Sequence, residues 1–188
     1  MFIQKGGTAM VFSNPLWNDT GEIIVYSNYH KYWLDKERKI KNPLFDIFSG
    51  RILDLKEGKQ SAIQYFYNLL DPEICSDVTI CVVPSSDSKS KKSGMCLLGE
   101  KLAGNGRHNA VYYLNRFKTI DKLANGGNRD ISVHLKSINT LDEIDISEEI
   151  VLLMDDVTTT GNSLYACREI LLEKGAQKVE MFALGKSI

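Results

Sequence analysis

Residues 150–163 read IVLLMDDVTTTGNS: an unbroken apolar run from Ile150 to Met154, two carboxylates at Asp155 and Asp156, then hydroxyls, one glycine and one amide. The run does not alternate as a strand with one wet face would, so it predicts a strand buried on both faces that ends at Met154. Leu164, Cys167, Ile170 and Leu171 follow at helical spacing and stop before Gly175. A helix that starts directly after Ser163 is therefore expected, and the polar segment becomes a strand-to-helix turn.

The same grammar repeats outward from this stretch. Val78 to Val83 (VTICVV) is a second continuous apolar run, stopped by Pro84. Gly94 to Ala103 reads as a helix, Ala110 to Leu114 as a strand, and Gln177 to Leu184 as a closing strand with Val179, Met181 and Ala183 alternating. Ile63, Phe66, Tyr67 and Leu70 mark a helix over Ser61 to Leu70, with Ser61 as N-cap and Pro72 beyond its end. Glu22 to Tyr26 (EIIVY) is the one strand candidate in the first 60 residues, where turn signals at Gly6-Gly7, Asn14-Pro15 and Ser49-Gly50 break the pattern. Non-alternating strands separated by helices predict an α/β fold, a parallel sheet flanked by helices on both faces, whose ligand lies beyond the carboxyl ends of the strands. One domain over residues 1–188 is expected, with a core over about 61–188 and a small N-terminal hood or extension over about 1–60.

Composition narrows the class. Apolar residues make up 43 % and charged residues 25 %, an ordinary globular balance, and 23 basic against 24 acidic residues give a net charge of -1. Such a chain has no overall attraction to nucleic acid or to an anionic membrane. Neither a signal peptide nor a membrane-length apolar stretch is present, so a cytoplasmic protein is expected. Cys75, Cys81, Cys96 and Cys167 form no CxxC pair, and His30, His108 and His134 are scattered singly, which predicts reduced thiols and no zinc module.

Taken singly, the residues after Met154 suit any polar turn with an N-cap. Six hydroxyl or acidic residues in the nine positions 155–163 are costly for a simple turn. Thr158, Thr159, Thr160, Gly161, Asn162 and Ser163 offer hydroxyls and backbone N–H groups at a helix N-terminus, which suits a phosphate. Asp155 and Asp156 cannot face that phosphate, but they can accept hydrogen bonds from the vicinal hydroxyls of a sugar that carries it. A sugar phosphate meets both requirements. No GxxxxGK[ST] loop and no dinucleotide fingerprint occurs, and only 32 residues follow Asp156, too few for the rest of a phospho-receiver domain.

Val151 to Ser163 (VLLMDDVTTTGNS) resembles the fingerprint of the type I phosphoribosyltransferases, with one departure at Thr158, where that family usually has an aliphatic residue. The resemblance implies that Asp155 and Asp156 bind the ribose 2- and 3-hydroxyls of phosphoribosyl pyrophosphate (PRPP) and are the catalytic pair, and that Thr159 to Ser163 cradle its 5-phosphate. Mg2+ would sit on pyrophosphate and ribose oxygens, with Asp155 and Asp156 near it or reaching it through water. Val83-Pro84-Ser85-Ser86-Asp87-Ser88 falls where the family places its pyrophosphate loop, which assigns Ser85, Ser86 and Lys89 to that group, with Lys91 and Lys92 close behind. The segment 115–130 looks like the mobile loop of the ComF-type, amidophosphoribosyltransferase-like branch, and Arg116, Lys118 and Arg129 would meet the pyrophosphate when it closes. The cysteine-rich segment common at the start of ComF-like proteins is absent.

What the resemblance implies is transfer of ribose phosphate to a nitrogen acceptor, a base or an amine, with release of pyrophosphate. Purine salvage members often carry an acidic residue where this chain has Thr159, so no general base is visible. A hood drawn from residues 1–60 would recognise the acceptor, with Trp17, Tyr26, Tyr29, Tyr32 and Trp33 as stacking candidates. The alternative is a PRPP or nucleotide sensor that binds without turnover, or an effector subunit of a larger, nucleic-acid-associated system. Dimers are frequent in the family, which makes a homodimer the expectation.

Overall fold

Parallel strands in the order β1-β9-β8-β4-β5 form the central sheet of the computed structural model, which describes residues 10–18, 20–88, 92–120, 130–141 and 143–188. These strands are β1 (Ile23–Tyr29), β4 (Thr79–Val82), β5 (His108–Asn109), β8 (Ile150–Thr158) and β9 (Lys178–Ser187). Two small antiparallel pairs lie outside it: β2 (Trp33–Asp35) with β3 (Ile40–Lys41), and β6 (Leu114–Arg116) with β7 (Ile138–Thr140). The helices are α1 (Ile47–Lys56), α2 (Gln60–Leu70), α3 (Gly94–Ala103), α4 (Ile131–Leu135) and α5 (Asn162–Glu173).

The apolar runs form this sheet because alternate side chains need a dry layer on each face. Leu152 and Met154 of β8, with Phe182 and Leu184 of β9, pack against Ile52 and Leu55 of α1, Phe66 of α2 and Leu98 of α3. Val151, Leu153, Met181 and Ala183 point the other way, onto Leu164, Cys167 and Leu171 of α5. Two glycines let α1 seat tightly. A Cβ on Gly185 of β9 would lie 2.8 Å from the Tyr29 Cβ and 2.9 Å from the Ile52 Cδ1, and one on Gly94, the first residue of α3, would lie 1.6 Å from the Leu55 carbonyl oxygen. The C-terminal end of α1 is thus clamped between the sheet and the start of α3. Arg107 locks α2 to α3: its guanidinium is buried and donates to the Asp71 carboxylate at 2.7 Å and to the carbonyls of Asp71, Ile74, Cys75 and Leu102.

Several expectations need correction. β8 does not end at Met154 but runs on to Thr158, because β9 offers it partners as far as Lys186. Ala110 to Leu114 is not one strand; short β5 and β6 flank it. Lys59, whose side chain makes no capping bond, stands at the N-cap of α2 in place of Ser61. Of the described residues before 61, β1 pairs with β9 along Ile23 to Tyr29, and α1 covers the sheet. Trp17, Tyr26, Tyr32 and Trp33 are engaged in ring contacts within the protein, Trp17 with Phe12, Tyr26 and Phe182, Tyr26 with Phe48, and Tyr32 with Trp33 and Phe45. All four cysteines are free thiols. No helix among the described residues is long and apolar enough to cross a membrane.

Candidate functional site

The carboxyl end of β8 is where the chemistry gathers. Strand alternation sends Asp155 toward the α5 face and Asp156 toward the α1 face. The Asp155 carboxylate accepts from the Asp156 N–H at 2.8 Å and from the Ser163 hydroxyl at 3.5 Å. Burial first, and the neighbouring Asp156 charge second, push its pKa up to about 7, against the smaller opposing pull of Lys56, the Asp156 N–H and Ser163. A carboxyl poised near neutrality at the end of a central strand is a group that can hold or release a proton where a ligand would sit.

Asp156 has a partner on the other face. The Lys56 ammonium, at the end of α1, meets its Oδ1 at 2.7 Å, across 100 residues of sequence. The pair is half-buried, with 38 % of the lysine side chain and 24 % of the aspartate side chain exposed. Burial alone would lower the Lys56 pKa, but the Asp156 ion pair and hydrogen bond, followed by Asp155 and Tyr29, outweigh it, and the net shift is upward. Tyr29, buried at the end of β1, has its phenol raised by burial first, with Lys56 opposing and Asp156 adding. The sequence reading missed Lys56. Ile52 and Leu55 carry a helical repeat that would have placed α1, but nothing local marks its last residue as the partner of a carboxylate so far along the chain.

Beyond β8 the chain turns into α5. Gly161 stands at the N-cap with φ 83, a left-handed conformation that costs glycine nothing, and it brings no capping side chain of its own. A Cβ there would lie 2.4 Å from the Ile23 Cδ1 and 3.0 Å from the Tyr165 ring. Thr159 and Thr160 are exposed beside this helix start, and Asn162 and Ser163 are partly exposed in its first turn. The first turn carries no acidic residue. These are the features that let a helix N-terminus receive an anion. Thr158, expected in the same phosphate loop, is instead the last residue of β8; it is buried, and its Oγ1 has no hydrogen-bond partner among the described residues.

The segment after β4 lies at the same edge of the sheet. Pro84, Ser85 and Ser88, with Tyr112, Asn115 and others, line a cleft of about 270 Å3. The Ser85 hydroxyl accepts from the Asp87 N–H at 3.2 Å, and the Ser86 carbonyl accepts from the Ile120 N–H at 3.1 Å. Arg116 does not ride on a mobile loop. It sits in β6, 4 % exposed, and its guanidinium donates to the Ser85 carbonyl at 2.6 Å and the Ser137 hydroxyl at 2.6 Å. Arg116 therefore splints the 84–88 segment to β6 and the turn after α4. Lys118 is exposed, and Lys89 and Arg129 lie outside the described residues.

Whether the site suits Mg2+ follows from the donor set. No group of three or more His, Cys, Asp and Glu that could hold a metal ion occurs among the described residues. Asp155 and Asp156 lie on opposite faces, and Asp156 is already paired with Lys56. A closed protein cage is not built here, but one or two carboxylates beside phosphate and hydroxyl oxygens of a ligand suit Mg2+, which keeps most of its water. Asp155 and Asp156 fit that outer role.

No family model and no curated protein matches the chain. Among solved structures it is similar to phosphoribosylpyrophosphate synthetase from Mycobacterium smegmatis, 19 % identical, covering 68 % of this chain and 32 % of that one, with a TM-score of 0.37. A hypoxanthine phosphoribosyltransferase from Staphylococcus aureus is 12 % identical over 73 % of this chain and 74 % of its own, TM-score 0.39. Purine phosphoribosyltransferase from Pyrococcus horikoshii Ot3 is 16 % identical over 74 % of this chain and 82 % of its own, TM-score 0.37. The chain spans about a third of the synthetase. The fold assignment rests on the strand order and pairing described above.

Proposed function

We propose that this protein binds PRPP at the carboxyl end of β8 and transfers its ribose phosphate to a nitrogen acceptor, a base or an amine, releasing pyrophosphate. The observation that carries this reading is the juxtaposition at one strand end of two carboxylates and a glycine-capped helix start whose first turn holds no acidic residue. Asp155 and Asp156 would take the ribose hydroxyls. Thr159 to Ser163 and the first-turn N–H groups of α5 would take the 5-phosphate, and Ser85 and Ser86 the pyrophosphate. In this arrangement the residues do little covalent chemistry: they fix the sugar and stabilise charge that separates as the leaving group departs. Mg2+ would be held by Asp155 and Asp156 through water or the ribose hydroxyls, and would supply neutralising charge on the pyrophosphate. Arg116 contributes by splinting the Ser85 segment, a positioning role in place of the mobile-loop contact its sequence context implies.

Calorimetric titration of magnesium PRPP into the wild type and into the double variant Asp155→Asn/Asp156→Asn tests the donor site, followed by an assay for pyrophosphate with a panel of bases and amines. The expected results are binding by the wild type, its loss in the variant, and pyrophosphate release with at least one acceptor. Binding without release with any acceptor would leave a sensor. A folded wild type that does not bind would refute the proposal.

A further inference from the structure

Lys56 sits directly on one of the two carboxylates near the carboxyl end of β8, and the fold goes to some length to keep it there. Its helix ends against the Leu55 carbonyl contact with Gly94 on one side and the Ile52 contact with Gly185 on the other, both too tight for a Cβ. Its ammonium is 2.7 Å from Asp156 Oδ1, and Tyr29 closes the same corner. A surface pair chosen by chance would not need a helix terminus pinned between two glycines.

We propose that Lys56 is a charge-setting residue of the donor site: by neutralising Asp156 it reduces the divalent cation that the two aspartates draw in, so that metal enters chiefly with the ligand's own phosphates. This rests on the donor-site reading above. Without Lys56, the Asp156 carboxylate would stand uncompensated, and the strand end would carry one more negative charge to attract a divalent ion. With it the free site carries one charge less. A site filled by metal before the sugar arrives would bring water ligands to the place where ribose hydroxyls must bind, and the lysine opposes that.

The test is titration of Mn2+, a paramagnetic stand-in for Mg2+, by electron paramagnetic resonance into the wild type, Lys56→Met and Lys56→Arg without PRPP. Lys56→Met is expected to bind Mn2+ about tenfold tighter at low salt, the effect of one elementary charge on a divalent ion ~6 Å away in water, with the gain shrinking as salt is added. Lys56→Arg keeps the charge and is expected to match the wild type. Lys56→Gln repeats the measurement if the methionine variant does not fold by circular dichroism. Unchanged or weaker Mn2+ binding in the neutral variants, or no binding in any protein, overturns the inference. Failure of the donor-site reading shows separately, as a wild type that does not bind magnesium PRPP in calorimetry.

Discussion

Asp155→Asn should make the protein more stable at alkaline pH and leave it nearly unchanged in acid. The carboxyl titrates near 3.8 when the chain is unfolded and is pushed up to about 7 in the folded protein by burial and by Asp156. Below pH ~4 both states are protonated and the favourable contribution of the raised pKa is fully present. Between about pH 4 and pH 7 the unfolded chain gives up this proton and the folded one keeps it, so stability falls as pH rises and levels off above pH ~8. A shift of about three units corresponds to a ceiling of ~4 kcal/mol, and a loss of at least ~2 kcal/mol is expected. Asparagine keeps an oxygen for the Asp156 N–H and cannot ionise. Urea unfolding of wild type and variant at pH 4.5, 6, 7 and 8.5 reads the difference directly. The variant should be about 1 kcal/mol more stable than the wild type at pH 4.5 and at least ~2 kcal/mol more stable at pH 8.5. A gap that is flat with pH, or an asparagine variant that loses stability at pH 8.5, would refute the account of Asp155 as a carboxyl retained at a cost to the fold.

Two further outcomes follow from the same strand and turn. Thr158→Val replaces a buried hydroxyl that has no partner among the described residues with an isosteric methyl, and should raise stability in urea by about 1 kcal/mol; a loss would mean that the hydroxyl is satisfied in solution. Gly161→Ala forces a Cβ into the left-handed conformation and against Ile23, and should cost about 2–3 kcal/mol in urea unfolding, with magnesium PRPP binding weakened at least tenfold by displacement of the start of α5.

The sheet was legible in the sequence because its signal is local. Continuous apolar runs at 78–83 and 150–154 can only be strands with two dry faces, and the helical repeat through Leu164, Cys167 and Leu171 fixes α5 beside them. What failed was non-local. Asp155 to Thr158 read as a turn because they are polar, yet they stay extended since Ala183 to Lys186 of β9 pair alongside. Arg116 read as a loop cation, and only the arrival of Ser137 and the Ser85 carbonyl around it makes a buried splint. Lys56 gave no signal at all, since its meaning depends on a strand 100 residues away. The candidate site was thus half visible: its carboxylates and hydroxyls belong to one contiguous motif, while the groups that tune them come from elsewhere in the chain.

The position of β9 between β1 and β8 has a consequence for how the chain is made. On the ribosome, Ile23 to Tyr29 emerge early but their pairing partner, Met181 to Ser187, is translated some 150 residues later. Until then β1 has no edge to join, and α1, which packs on β9 through Gly185, lacks half of its seat. The nascent protein must carry an unpaired strand and a half-docked helix until β9 emerges, exposed to wrong pairings and to holdase chaperones. The seat of α1 is completed by Gly185 of β9, so a polypeptide stalled before residue 178 would carry the whole 151–163 motif without the full support of the helix that holds Lys56.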